Sequence, residues 1–280
     1  MQERIHTIPT DDGTLLRVWD VGEGPPILAL HGIPEDHTSY DRLVPLLAGR
    51  ARLLLPDLRG FGESRRAHLL PPLTPAILAQ DAATVLRALD LPDPILLGHD
   101  LGGYAAIDAL QRALIRPRAL ILLNTTYKKV HLTGSPQMAL FCLPFIGRRL
   151  LRLLGPRLAD LAFHRGLADP SRLDAARVDR CRRLCSDPAT LESMADLYDG
   201  FRKSAFEKLA HPNRRPHPLT LPALLLWGER DRFLHPDLKH WLAHLLPGLQ
   251  VVSLPTAGHF PHQETPELVA AAILSFLDHL

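Results

Sequence analysis

Short and almost continuous apolar runs, bounded by turn residues, recur along the chain. Such runs are typical of strands that are covered on both faces in a parallel sheet. Helical periodicity fills stretches between them, notably 76–89 and 104–115. This alternation predicts an α/β fold built on a doubly wound, mostly parallel sheet. The six apolar runs are residues 26–32, 51–57, 94–100, 118–124, 222–228 and 249–255.

Two stretches depart from this alternation. Residues 5–22 alternate apolar and polar positions around Asp12-Gly13, which predicts an antiparallel hairpin at the sheet edge. Between about Tyr127 and Pro222 the pattern is helical and contains no good strand. We therefore expect a helical cap over 127–221, inserted between two parts of an α/β core, which are residues 1–126 and 222–280. The apolar, arginine-studded face of its first helix could instead form a homodimer surface.

Composition limits the partners of the chain. Its 280 residues can bury one large core. The 32 Lys and Arg residues against 30 Asp and Glu leave a net charge of only +2, spread along the chain, so we expect neither a nucleic acid nor a membrane as partner. The polar start lacks a secretory signal, and three cysteines without framework spacing suit a reducing compartment. These features predict a soluble, cytoplasmic protein with a small, weakly charged ligand.

Candidate chemistry first shows in "GHDLG", where Asp100 stands between an apolar run and a helical period. Flanking glycines suit a sharp turn from a strand into a helix, because they remove side chains that would clash. A carboxylate at the start of a helix is stabilised in its ionised form by the helix dipole and the free N–H groups. Aspartate is also a favoured helix cap. This string alone leaves a presented carboxylate and a simple cap equally open.

Other strand ends supply matching groups. Asp231 follows the run 222–228, and His259 follows the last run. Open α/β sheets bind ligands at the carboxyl ends of their strands, so Asp100, Asp231 and His259 are expected to meet there. The backbone N–H of Ile33, in "HGIP", could form an oxyanion hole with the N–H of Leu101. Together these residues predict a nucleophile, an acid and a base.

The chain resembles the α/β-hydrolase family over nearly its whole length, with only the insertion poorly matched. Aspartate at the nucleophile position resembles the epoxide hydrolase and dehalogenase branch. The resemblance implies that Asp100 attacks a saturated carbon to form an alkyl ester, and that His259, oriented by Asp231, activates the water that hydrolyses it. It implies no cofactor and no metal. The segments that carry it, in the family's order, are HGIP, PDLRGFGES, GHDLGG, WGERD and GHFPHQE.

The leaving group decides the branch. Epoxide hydrolases resemble one another in using cap tyrosines to protonate the departing alkoxide, and Tyr198 falls near the position of the second one. Tyr198 could equally be an ordinary residue of an amphipathic helix, and the other cap tyrosine has no good match. Asn124, after the run 118–124, could line the pocket or replace Asp231 as the partner of histidine. Asparagine has no charge to balance an imidazolium, which favours Asp231.

A dehalogenase must stabilise halide instead. Haloalkane dehalogenases carry tryptophan directly after the nucleophile and fluoroacetate dehalogenases carry arginine, whereas this chain has Leu101. Asn124 or Arg149 could still hold a halide. The favoured prediction is therefore an epoxide hydrolase that takes a small, largely apolar substrate and water. Haloalkane or haloacid dehalogenation is the runner-up, followed by an ester or lactone hydrolase or a non-catalytic binding member of the fold. Glu264 is expected to begin the last helix rather than join the catalytic residues.

Overall fold

The computed structural model describes residues 3–64, 71–129, 136–172, 174–210 and 215–280. They form an eight-stranded sheet in the order β1-β2-β4-β3-β5-β6-β7-β8. The pairs β1·β2 and β2·β4 are antiparallel and the other pairs are parallel. This arrangement confirms the predicted fold class and the antiparallel hairpin. The strands are β1 Glu3–Pro9, β2 Leu15–Val21, β3 Pro26–Leu30, β4 Arg52–Pro56, β5 Ile95–His99, β6 Ala119–Leu123, β7 Ala223–Gly228 and β8 Gln250–Leu254.

The helices lie on both faces of the sheet and in one long insertion. Two short 3₁₀ helices, His37–Tyr40 and Pro170–Arg172, accompany them. The α-helices are α1 Val44–Leu47, α2 Pro75–Ala88, α3 Leu101–Gln111, α4 Pro136–Phe141, α5 Ile146–Leu154, α6 Arg157–Gly166, α7 Ala175–Leu184, α8 Pro188–Ala210, α9 Leu238–Leu245, α10 Pro261–Glu264 and α11 Pro266–Leu277.

Alternate side chains of each central strand enter different hydrophobic cores, as the period of two in a strand requires. In β3, Leu28 belongs to the core on the side of α2 and α3, whereas Ile27 belongs to the core on the side of α1 and α11. Every residue of β5 and β6 is buried, as their continuous apolar runs predict. β8 differs: it is the outermost strand, and Val251 is 44% exposed. An apolar run at the edge of the sheet is therefore less covered than the pattern indicates.

Helices α4 to α8 lie between β6 and β7, in the stretch where the sequence predicts an insertion. The described part of that stretch contains no strand. We call these five helices the helical insertion. None of the helices in the described ranges combines the length and the apolar composition that crossing a bilayer requires.

Candidate active site

Asp100 stands at a strained turn between β5 and α3. Its φ of +48° and ψ of −117° lie in a region that residues with side chains rarely adopt, and such strain is typically held in place by surrounding contacts. The Asp100 N–H donates to the Leu123 carbonyl at 3.3 Å, and the Asp100 carbonyl accepts from Thr125 Oγ1 at 2.6 Å. Both neighbours come from the end of β6. The adjacent strand therefore fixes the turn.

Glycines let the start of α3 lie directly against the sheet. A Cβ on Gly102 would lie 2.0 Å from the Leu30 carbonyl oxygen, and one on Gly98 would lie 2.5 Å from the Cα of Gly103. Only hydrogen fits at these positions. Helical periodicity predicts a helix over 104–115, yet α3 begins at Leu101, because this close packing brings the first helical turn up to Asp100.

The Asp100 carboxylate does not act as a helix cap, since within the described chain it accepts no hydrogen bond from the first turn of α3. Its Oδ2 atom instead accepts the backbone N–H of Ile33 at 3.1 Å. A Cβ on Gly32 would lie 2.8 Å from the Asp100 Cβ, so a glycine is required for the "HGIP" loop to come this close. The carboxylate is thus held toward that loop, with its other oxygen, Oδ1, turned elsewhere.

Oδ1 of Asp100 faces His259. The distance from His259 Nε2 to Asp100 Oδ1 is 3.9 Å, and His259 Nδ1 lies 2.8 Å from Oδ2 of Asp231. The other oxygen of Asp231 accepts the N–H groups of Phe233 and Leu234, at 2.7 and 3.0 Å. Three side chains from the ends of β5, β7 and β8 therefore meet at one edge of the sheet, and the base lies between the two acids.

Charge and burial set the protonation of this group. Burial disfavours the charged imidazole, but Asp231 outweighs it through its charge and hydrogen bond, Asp100 adds to the effect, and the pKa of His259 rises to about 9. Burial also raises the pKa of Asp231, but the charge and hydrogen bond of His259 and the two backbone N–H groups hold it below its usual range. At neutral pH the free protein thus holds an imidazolium between two acidic side chains.

Asn124 lies behind Asp231 rather than at the wall of the cavity. Its Nδ2 donates to Asp231 Oδ2 at 2.7 Å and to the Gly228 carbonyl at 3.2 Å, while its Oδ1 accepts the Gly228 N–H at 2.8 Å. From the sequence, Asn124 could line the pocket or replace Asp231, with Asp231 favoured as the partner of histidine. The structure gives it neither position, because the ends of β6 and β7 are adjacent and Gly228 satisfies the amide from both sides.

The backbone N–H and the side chain of Leu101 lie in different surroundings. Its backbone N–H is the first of α3 and belongs to the helix start, where N–H groups have no partner within the helix. Its side chain is 2% exposed and belongs to the hydrophobic core beside α3. The position after Asp100 therefore offers a backbone donor and no side-chain donor.

A cavity of about 70 Å³ opens beside Asp100 and His259. One water needs about 10–15 Å³, so the cavity has room for about five waters or a small organic molecule. Among the lining side chains in the described part of the chain, only Asp100, His259 and Tyr198 are polar. Its walls come from the "HGIP" loop, from α4, α6 and α8, and from the loop after β7. Apolar side chains that contribute include Phe141, Leu158, Leu161, Met194 and Phe233.

Tyr198 enters this cavity from α8. It is 8% exposed, and its hydroxyl makes no hydrogen bond within the part of the chain that the structure describes. Burial raises the pKa of Tyr198 above its usual range, and the negative charge of Asp100 raises it further. The phenol is therefore a protonated donor that shares a cavity with a carboxylate.

The histidines near the site make hydrogen bonds that support the surrounding loops. His31 accepts the Leu58 N–H at Nε2, 2.9 Å away, and His99 Nε2 lies 2.9 Å from the His259 carbonyl oxygen. His99, Glu35 and His262 bring three potential metal ligands within 4.8 Å of one another. However, the guanidinium of Arg177 already lies 3.8 Å from Glu35 and supplies positive charge. This buried cluster is thus a poor match for a cation.

The sequence does not predict two groups of contacts that hold Asp100 and Asp231 in place. Thr125 bonds to the Asp100 carbonyl, and the N–H groups of Phe233 and Leu234 fix Asp231. The sequence singles out Asn124 because it lies at the end of an apolar run. Thr125, the next residue along the chain, could have been found from the same position. The backbone donors carry no signal in residue type.

Comparisons with known proteins agree with this geometry. A family model described as "Alpha/beta hydrolase family" matches residues 27–272. The chain is 28% identical over 283 residues to AB hydrolase superfamily protein YfhM of Bacillus subtilis (strain 168), with 95% of each chain covered. It is 24% identical to Bifunctional epoxide hydrolase 2 of Sus scrofa, where the match covers 95% of this chain and 54% of the relative. The solved structure of epoxide hydrolase CorEH matches with a TM-score of 0.86, 19% identity and 99% coverage of both chains. The chain therefore belongs to the alpha/beta hydrolase family.

Proposed function

We propose that the protein hydrolyses small, largely apolar epoxides to diols through an alkyl ester on Asp100. One observation carries this proposal: among the described residues, a carboxylate, a histidine and a phenol without a hydrogen bond are the only polar side chains that line an otherwise apolar cavity. A carboxylate is already anionic and can displace a leaving group at saturated carbon. The phenol of Tyr198 can supply the proton that an opening epoxide needs. The similarity to an epoxide hydrolase of Sus scrofa supports the same branch.

The first step forms the ester. Oδ2 of Asp100 is held by the Ile33 N–H, so Oδ1 is the oxygen that is free to attack. A bond forms between Oδ1 and an epoxide carbon, and the bond from that carbon to the epoxide oxygen breaks, with its electron pair passing to the oxygen. The oxygen takes the proton of Tyr198. The products of this step are a hydroxyalkyl ester on Asp100 and a phenolate.

The second step hydrolyses the ester and regenerates the free enzyme. Water attacks the ester carbonyl carbon while His259 takes one of its protons. The carbonyl oxygen is then Oδ2, and its developing charge faces the N–H groups of Ile33 and Leu101. The bond from the Asp100 carbonyl carbon to Oδ1 then breaks, so Oδ1 leaves with the diol and the oxygen of the water remains on Asp100. One proton of the water ends on Oδ1 and the other returns to Tyr198.

Ester formation also prepares the base. His259 can accept a proton only when it is neutral, yet Asp100 and Asp231 raise its pKa to about 9 in the free protein. The ester removes the negative charge of Asp100, so the pKa of His259 falls once the intermediate exists. Solvent receives the released proton, and His259 takes one up again when hydrolysis restores the Asp100 carboxylate. Water activation thus follows alkylation rather than competing with it.

The halide alternative has less support. Among the described residues, no lining side chain carries an amide, an indole or a guanidinium. Asn124 is committed to Asp231 and Gly228, and Arg149 is exposed on α5. The side chain of Leu101 lies in the core. A departing halide would therefore meet apolar carbon and the phenol of Tyr198.

Trapping of the ester tests the proposal. The His259→Gln variant, incubated with a small terminal epoxide, is expected to gain the mass of one epoxide on the peptide that contains Asp100. Asp100→Asn is the control and should gain nothing. A matched panel of terminal epoxides, haloalkanes, haloacids and simple esters, assayed for diol, halide and acid, separates the branches. Halide release without diol, ester cleavage alone, or turnover of epoxide with no adduct at Asp100 would each contradict the proposal.

A further inference from the structure

Glu264 connects two parts of the structure, namely the loop that contains His259 and the helical insertion. It ends α10 and is 5% exposed. Its Oε1 accepts the Gly258 N–H at 2.6 Å, and its Oε2 accepts the N–H groups of Ala168 and Asp169 at 2.7 and 3.4 Å. One buried carboxylate therefore holds two chain segments that are about 90 residues apart in the sequence.

The same two segments also touch directly. The His259 N–H donates to the Gly166 carbonyl at 2.7 Å. A Cβ on Gly258 would lie 2.2 Å from that carbonyl oxygen, and a Cβ on Gly166 would lie 2.5 Å from the Phe260 ring. Glycine on both sides permits this approach. On the insertion side, Arg172 donates to the Glu264 backbone carbonyl at 3.0 Å, which adds a further tie.

The segment of the insertion that these bonds hold lies at the end of a helix that forms part of the cavity wall. Helix α6 ends at Gly166, and Leu158, Leu161 and Ala162 on the same helix line the cavity. The side chain of His259 is fixed by Asp231, but its backbone is fixed by α6. The placement of the base thus depends on the position of the wall that contacts the substrate.

We propose that Glu264 is a positioning residue that couples the α6 wall of the cavity to His259 and so sets the base for the attack of water. The proposal concerns the second chemical step and rests on the function proposed above. Asp100 is placed by the turn between β5 and α3 and by its hydrogen bonds to Thr125 and Ile33. Among the described residues, the hydrogen bonds of Glu264 go to other partners. Loss of the coupling should therefore slow hydrolysis of the ester and leave its formation nearly unchanged.

Glutamine cannot replace this carboxylate. Both oxygens of Glu264 act as acceptors of backbone N–H groups, whereas a glutamine side chain has one acceptor oxygen and one NH₂ donor. In Glu264→Gln the NH₂ must face a donor on one side, so either the Gly258 bond or the Ala168 and Asp169 bonds are lost. The exposed Glu267, three residues along, provides a matched Glu267→Gln control.

The first measurement is amide hydrogen exchange on the intact protein, which needs no substrate. In Glu264→Gln, the amide of Gly258 or the amides of Ala168 and Asp169, together with that of His259, should exchange at least about 10-fold faster, while amides of β5 and β6 keep their wild-type rates. Glu267→Gln should leave all of them unchanged. Unchanged exchange at all four amides in Glu264→Gln would overturn the coupling, whatever reaction the protein catalyses.

The second measurement follows the two chemical steps separately. It uses an epoxide that the wild type turns over, and rapid-quench mass spectrometry detects the Asp100 ester. Formation of the Asp100 ester in Glu264→Gln should stay within about 2-fold of wild type, and its hydrolysis should slow about 10-fold to 100-fold, since a small misplacement of a catalytic group has effects of this size. The ester then accumulates, and kcat and KM fall together. Equal slowing of both steps would indicate a general structural role and contradict the proposal.

A milder variant covers the case in which Glu264→Gln does not fold. Arg172→Gln removes the bond from the insertion to the Glu264 carbonyl and leaves the carboxylate in place. It should raise exchange at Ala168 and Asp169 and slow ester hydrolysis by about 2-fold to 5-fold. If the wild type forms no ester at Asp100, the function proposed above fails, and the exchange results still decide whether Glu264 couples the two segments.

Discussion

The Nε2 atom of His259 lies 3.9 Å from Oδ1 of Asp100, beyond hydrogen-bonding distance but well within the range of charge interaction. The carboxylate of Asp100 and the imidazole of His259 therefore influence each other through their charges without a hydrogen bond between them. This separation also leaves the carboxylate oxygen open toward the cavity.

Removing the charge of Asp100 should lower the pKa of His259. Asp100→Asn keeps the shape of the side chain and removes one of the negative neighbours, with Asp231 and Glu35, that raise the pKa to about 9. We expect a lower midpoint for the His259 ring in an NMR titration. Glu267→Gln removes an exposed charge and should leave the midpoint in place. The same midpoint in wild type and Asp100→Asn would show that Asp100 does not contribute to this pKa.

The stability of the protein should fall at alkaline pH because of His259. Its pKa rises from 6.5 in a model environment to about 9 in the folded protein, so the stabilisation from its charged form is complete below pH 6.5 and is lost as the pH rises through 9. His259→Gln lacks this contribution. Urea unfolding at a series of pH values should therefore give a difference between wild type and variant that is largest at pH 6 and smaller at pH 10.

Tyr198→Phe should slow epoxide opening by about 10²-fold to 10⁴-fold, the usual effect of losing a general acid. The ring remains in the cavity wall, so substrate affinity should change little. Tyr104→Phe is the matched control, because Tyr104 lies on α3 and does not line the cavity. Single-turnover formation of the Asp100 ester measures the step. An unchanged rate in Tyr198→Phe would assign the tyrosine to packing alone.

Asn124→Asp should make stability sensitive to pH. The new carboxylate would lie 2.7 Å from Oδ2 of Asp231, and two acids at this distance share a proton, with one pKa strongly raised. A raised carboxyl pKa in the folded state stabilises at low pH and loses that contribution as the pH increases. We expect a loss of about 1–3 kcal/mol at pH 8 and a smaller loss at pH 5, measured by urea unfolding. Equal losses at both pH values would contradict this assignment of Asn124.

Gly102→Ala should destabilise the protein by about 3 kcal/mol or more, although alanine ordinarily favours helices. The added Cβ would lie 2.0 Å from the Leu30 carbonyl oxygen, and the backbone of β3 cannot retreat within the sheet. Gly49→Ala is the control, since a Cβ there meets nothing within 4 Å. Thermal unfolding of the two variants compares them. Similar melting temperatures would mean that α3 can shift away from the sheet.

The sequence predicted the sheet well because its central strands are buried on both faces and therefore read as unbroken apolar runs. The run 94–100 corresponds to Ile95–His99, and the run 118–124 to Ala119–Leu123. Strand ends also indicated which side chains would come close, since parallel strands end at one edge. This reasoning predicts that Asp100, Asp231 and His259 lie close together, and in the structure His259 lies between the two acids.

The direction of individual side chains was not predictable in the same way. Asn124 and Asp231 both follow strands, yet the amide turns toward Gly228 and away from the cavity. Residue type does not reveal which neighbour satisfies an amide. The role of Glu264 was missed for a related reason: its partners are backbone N–H groups of Gly258, Ala168 and Asp169, and every residue but proline has one.

The direct bond from the His259 N–H to the Gly166 carbonyl has a consequence for chimeras. Exchanging the whole helical insertion with that of a relative would replace part of the support of His259 along with the cavity walls. A graft that keeps residues 166–169 and Arg172 from this chain, and changes only the helices before and after them, preserves that support. The cavity-lining residues of α4 and α8 can then be altered while the backbone of His259 keeps its position.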